Sequence, residues 1–148
     1  MKWAYRRYSV DRSRICPSGL VYRPLVKLGV HGATGVAFVS ALVDTGADHS
    51  IFPASIATEV GAELFDDELE SAKGISGHAI SVTLGRVRLE LIAGEQSLAW
   101  SAIVGFAKFD SEDECSVLGH IGVLEFFSAV FDGVNQVLEL APRENFPR

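Results

Sequence analysis

Between residues 79 and 94 the sequence reads AISVTLGRVRLELIAG, and its apolar side chains recur at every second position. Ile80, Val82 and Leu84 form one series, and Val87, Leu89 and Leu91 the next. A period of two sends alternate side chains to opposite faces of an extended chain, so such a run buries one face and wets the other. A helix would need apolar residues three and four apart instead. Gly85 and Gly94 punctuate the series. The stretch 72–106 is therefore expected to be a meander of strands, half buried on one face.

The same signal recurs along the chain in short runs broken by glycine. LVYRPLVKLGV (20–30) and VAFVSALVD (36–44) flank the turn-rich HGATG (31–35) and read as a hairpin. Pro53 opens PASIATEVG, where Ile56 and Val60 sit four apart and Gly61 follows. Proline at the first helical position and glycine just past the end predict a short helix. ELFDDELE (63–70) carries five acids and is expected to be a solvated turn or loop, and FDSEDE (109–114) a second polar loop. From Cys115 onward the pattern predicts a strand, a short helix near 122–127 and a closing hairpin turned at DGVN. The class is mainly β, a closed barrel or sandwich with one or two short helices.

With 148 residues the chain has the size of one domain. A hydrophobic content of 48% and a mean hydropathy of +0.23 exclude a disordered chain. No segment reaches the roughly 20 apolar residues of a membrane span, and the charged N-terminus lacks a signal-peptide core. Cys16 and Cys115 lie far apart and make no metal-ligand spacing. They read as free thiols of a reducing compartment, which implies a cytoplasmic location. Charge is uneven: residues 1–27 hold seven Lys/Arg against one Asp, and the remainder six against eighteen. A basic arm alone does not make a nucleic-acid binder, because no interleaved aromatic-basic pattern accompanies it.

One carboxylate stands out. The apolar run FVSALV (38–43) passes directly into Asp44-Thr45-Gly46-Ala47-Asp48. An isolated carboxylate is costly to bury, so one at the end of a core strand needs a partner or a chemical role. Taken alone, D-T-G is a turn signature in which aspartate accepts backbone N–H bonds and Gly46 supplies conformational freedom.

Its surroundings resemble the retropepsin-like aspartic proteases. ALVDTGAD (41–48) is similar to that family's active-site strand and loop, RPLV (23–26) to its first core strand, and GISGHAI (74–80) to its glycine-rich flap. SVLGHIGVLEFF (116–127) is similar to the strand, glycine and helix that support the active-site loop. His120 stands where the family often has arginine or another polar residue. The resemblance implies a protease domain over 21–142, between an N-terminal arm (1–20) and a C-terminal tail (143–148). It also implies catalytic Asp44, Thr45 and Gly46, with substrate contacts from Ala47, Asp48, Gly74, Ile75, Ser76 and Gly77. Arg23, Leu118, Gly119 and His120 would support the loop.

Two carboxylates about one hydrogen bond apart can share a proton, so that one activates water while the other stays acidic. Water is then the nucleophile, and neither cofactor nor metal is required. A second D-[ST]-G is absent, so a homodimer acting on a peptide or protein substrate is expected, with Asp44 from each copy. His31, His49, His78 and His120 show no ligand spacing, so no metal site is expected. The rival reading is a noncatalytic dimerisation or peptide-binding module on the same fold.

Overall fold

The computed structural model describes residues 1–73, 77–109 and 116–147, without the side chains of 66–69. Its centre is built from two hairpins. β4 (Leu25–His31) pairs antiparallel with β5 (Val36–Val43), from Leu25↔Leu42 to His31↔Val36. β8 (Ala79–Ala93) pairs with β9 (Gln96–Ala107) through a turn at Gly94, whose φ of 60° suits glycine. Short strands β6 (Ile51–Pro53) and β10 (Ser116–Leu118) fill the space between them. Backbone pairing runs from β4 to β5, β10, β6, β9 and β8, and returns from β8 to β4. Six strands thus close into a barrel, the mainly β architecture that the alternation predicts.

Alternate residues fill its interior. Val26, Leu28 and Val30 from β4 meet Ala41, Val43, Phe52, Leu89, Leu91 and Leu118, all buried. Phe52 is wholly enclosed and packs toward Phe106. Burying such a side chain stabilises the fold by about 1.5–3 kcal/mol.

The hairpin 20–30/36–44 forms only in its inner part. Leu20–Arg23 makes a separate strand, β3, paired with β2 (Arg6–Ser9). Residues 1–20 also supply β1 (Lys2–Ala4), which joins β12 (Val137–Pro142) and β11 (Phe127–Asp132) in a three-stranded sheet. The β11–β12 hairpin turns at DGVN, as expected. Asp132 Oδ1 accepts the Val134 and Asn135 N–H groups, and Oδ2 accepts Asn135 Nδ2. The segment after Pro142 is docked on the body. Arg143 N–H donates to the Phe126 carbonyl, and Phe146 is buried against Trp100 and Phe127.

Helix α1 (Ala54–Val60) lies where predicted, with Pro53 at its N-cap rather than inside its first turn. Gly61 ends it in the left-handed conformation, φ 68°. The helix expected near 122–127 is a single 3-10 turn, Leu124–Phe126.

Two expectations are corrected. ELFDDELE is not a loop: it begins strand β7 (Glu63–Lys73), which pairs with β8. Gly85 does not end a strand, because β8 runs unbroken through it. A Cβ there would lie 2.9 Å from Leu64 and 3.0 Å from Phe106, so glycine lets two neighbours close on the backbone. Positions 110–114 of the second acidic loop, and Cys115, lie outside the described residues. No helix among the described residues is long and apolar enough to cross a membrane.

Candidate active site

Residues 44–50 connect β5 to β6, and β10 runs between these two strands, parallel to the first and antiparallel to the second. The connection must therefore arch past the end of β10, and it is fastened there by backbone groups. Asp44 N–H donates to the Leu118 carbonyl at 3.1 Å, and His120 N–H to the Ala47 carbonyl at 2.9 Å. Ile121 N–H reaches the Asp48 carbonyl at 2.9 Å, and Gly119 N–H reaches Ser50 Oγ at 3.0 Å. Within the loop, Ala47 N–H closes a turn on the Asp44 carbonyl, and Asp44 Oδ1 accepts the Gly46 N–H at 2.9 Å.

The loop consequently holds its shape while displaying its side chains. Asp44 is half-buried at the strand end; Thr45, Gly46 and Asp48 are exposed, and Ala47 is half-buried. Gly46 does not adopt a positive φ. A Cβ at that position would meet Asp44 Oδ1 at 3.3 Å, so closeness to the carboxylate, not unusual backbone geometry, is its local reason.

Leu118, Gly119 and His120 meet the Asp44 loop, and all three do so through backbone atoms. The side chain after Gly119 is thus free to vary without breaking the clamp. Gly119 itself is confined: a Cβ would lie 2.4 Å from the His49 carbonyl oxygen and 2.8 Å from that of Ala47. Arg23 ends β3 and is followed by Pro24, whose carbonyl accepts the Val43 N–H just before Asp44, and its guanidinium lies 5.0 Å from the Tyr8 ring centre. Among the described residues no ion pair joins it to Asp48. Gly74, Ile75 and Ser76 lie outside the described residues. Gly77, with a φ of 77°, belongs to the connection between β7 and β8, next to the last pair Lys73↔Ala79.

Three supporting residues escape a reading of the sequence. Ser50 is 2% exposed and accepts from Gly119 N–H. Its only sequence signal is a lone hydroxyl immediately before the apolar strand IFP. Trp100 Nε1 donates to the Gly122 carbonyl at 2.8 Å, and the Glu125 carboxylate accepts the Gly122 N–H. Together they fix the turn that follows the clamp.

The histidines are engaged separately. His31 Nε2 lies 2.8 Å from Glu90 Oε2, and His49 Nε2 lies 3.3 Å from Glu70 Oε2. Among the described residues no group of three or more His, Cys, Asp or Glu is placed to hold a metal.

The architecture and the site define a closed β-barrel that presents an aspartate loop clamped by a central strand. No family model and no curated protein matches the chain. It is similar to a solved structure of the EIAV protease complexed with the inhibitor HBY-793, at 14% identity and a TM-score of 0.43. That likeness covers 70% of this chain and 86% of the other.

Proposed function

We propose that the chain is an aspartic endopeptidase of the retropepsin-like type, active as a cytoplasmic homodimer on a peptide or protein substrate. The observation that carries this reading is the fastening of the D-T-G loop. Four bonds from residues 118–121 and from Asp44 hold the loop, yet Asp44 is only half-buried. A preorganised, accessible carboxylate is what acid–base chemistry on a bound peptide needs. The chain's Asp-Gly pair, Asp132-Gly133, lacks the threonine of a D-T-G, and both Asp132 oxygens close the β11–β12 turn.

In this reading the mate is Asp44 of a second copy, because the sequence holds a single D-T-G. The two carboxylates hold one proton between them, and their titration belongs to the pair. The ionised member takes a proton from water as its oxygen bonds to the peptide carbon. The protonated member donates to the carbonyl oxygen. Collapse of the tetrahedral adduct breaks the C–N bond, with a proton passing to the departing amine. Thr45 and Gly46 shape the loop, Ala47 and Asp48 face the substrate backbone, and the β7–β8 hairpin closes over it.

A second reading has its own support. Asp44 Oδ1 closes a turn on Gly46 N–H, which gives the aspartate a structural role even in a noncatalytic peptide-binding module. Asp44→Asn separates the two. The asparagine oxygen still accepts from Gly46, so the fold should persist while turnover falls by roughly 100-fold or more. The measurement is hydrolysis of a peptide library from acidic to neutral pH, with and without a statine-type inhibitor. Peptide binding without cleavage by the unsubstituted protein would establish the module instead.

A further inference from the structure

A cleft of about 620 Å3 lies between the β2–β3 hairpin and the barrel. Arg6, Tyr8 and Arg23 line it from the hairpin, with Val39, Ser40 and Ile56 opposite, on β5 and α1. Ser40 precedes Asp44 by four residues along β5, on the order of 13 Å, and Arg23 is followed by Pro24, whose carbonyl accepts the Val43 N–H, so the cleft runs beside β5 toward the aspartate loop.

Arg6 and Arg23 are direct cross-strand partners, so their side chains leave the same face of the hairpin side by side. Like charges placed this way destabilise a strand pair. Their neighbours orient them without neutralising them. Arg6 Nη1 donates to Ser40 Oγ at 3.3 Å, and the Arg23 guanidinium stacks over Tyr8. Among the described residues neither arginine has an ion-pair partner, and no carboxylate lines the cleft. This is unusual local chemistry in a chain whose net charge is −6.

We infer that this cleft binds an acidic peptide segment. Its carboxylates lie on the paired guanidiniums, whose planar forks suit bidentate carboxylate recognition. An adjacent apolar side chain of the peptide rests against Val39 and Ile56. The volume falls within the roughly 300–1,000 Å3 of sites that enclose specific ligands. A nucleic-acid strand fits less well, because one wall is apolar and the chain beyond residue 27 is strongly acidic.

The test uses the full chain and a fluorescein-labelled peptide of alternating glutamate and leucine, followed by anisotropy. Saturable binding should weaken as salt rises, and Arg6→Gln or Arg23→Gln should each weaken it roughly tenfold, as expected for losing charge-assisted hydrogen bonds. Both side chains are exposed, so circular dichroism should show both variants folded. Arg86→Gln, which removes a cation paired with Glu63 on β7, should leave binding unchanged, and a peptide with lysine for glutamate should not bind. Equal affinity of the arginine variants and the unsubstituted chain would overturn the proposal. So would tighter, arginine-dependent binding of a single-stranded oligonucleotide. Neutralising the acids of 110–114 tests the chain's own acidic run as occupant; a rise in peptide affinity would replace the external partner with that segment.

Discussion

Gly119 shows how one residue can carry a site without touching a substrate. Its missing side chain lets β10 approach the Asp44 loop until carbonyl oxygens stand where a Cβ would be. Those atoms are backbone and cannot swing aside. Gly119→Ala should therefore force the strand and the loop apart, costing about 1–3 kcal/mol as overpacking does. The Gly119 bond to buried Ser50 would be stretched as well. Urea unfolding would measure the loss, and an unchanged midpoint would refute this account of the clamp. Much at this scale is legible in the sequence: D-T-G marks the loop, and V-L-G marks what supports it. Ser50 is not legible, because its importance comes from a partner 69 residues away. The placement of the Arg23 side chain escapes for a similar reason, since only the pairing of β2 with β3 sets its guanidinium over Tyr8.

At the scale of elements, β7 shows where pattern reading fails. Acidic residues argue for a loop, yet among the described residues β7 pairs with β8 alone, and a sheet edge tolerates charge. Its register also shifts between Phe65 and Leu69, which breaks the alternation that would identify it. The hairpin it forms with β8 is the proposed flap. Gly77 and Gly94 both have positive φ and no described atom within 4 Å of where a Cβ would stand, so valine at either should cost about 1–2 kcal/mol from backbone strain. Gly77→Val should also lower kcat/KM, whereas Gly94→Val should not. Equal kinetic effects from the matched pair would exclude a closing role for this hairpin.

Where β4 meets β8 to close the barrel, the hydrogen bond from His31, with a further one from Ser97, holds the Glu90 carboxyl below its ordinary value of 4.5. A carboxyl lowered on folding stabilises the native state above its unfolded value. That contribution is lost as pH falls through the lower folded value. Glu90→Gln should thus flatten the acid side of the stability profile. Urea midpoints over roughly pH 3 to 6 would show it, and parallel profiles would deny the pair a role at the seam.

For the whole molecule, closure of the barrel is legible from strand alternation, but the use of both chain ends is not. Residues 2–4 enter a sheet with β12, and Phe146 fills a pocket of aromatic rings that a sequence ending in polar residues and prolines does not advertise. The central consequence concerns assembly. The sequence holds one D-T-G, and its Asp-Gly pair at 132–133 is committed to a hairpin turn, so the proposed dyad exists only between copies. Activity per subunit should rise with protein concentration and level off when dimerisation is complete. Mixing in an excess of Asp44→Asn subunits should suppress the unsubstituted protein, because each mixed pair lacks one carboxylate. Sedimentation run beside the assay separates the alternatives: a species that cleaves peptide while sedimenting as a monomer would require a second acid from the same chain and would end the paired-loop mechanism.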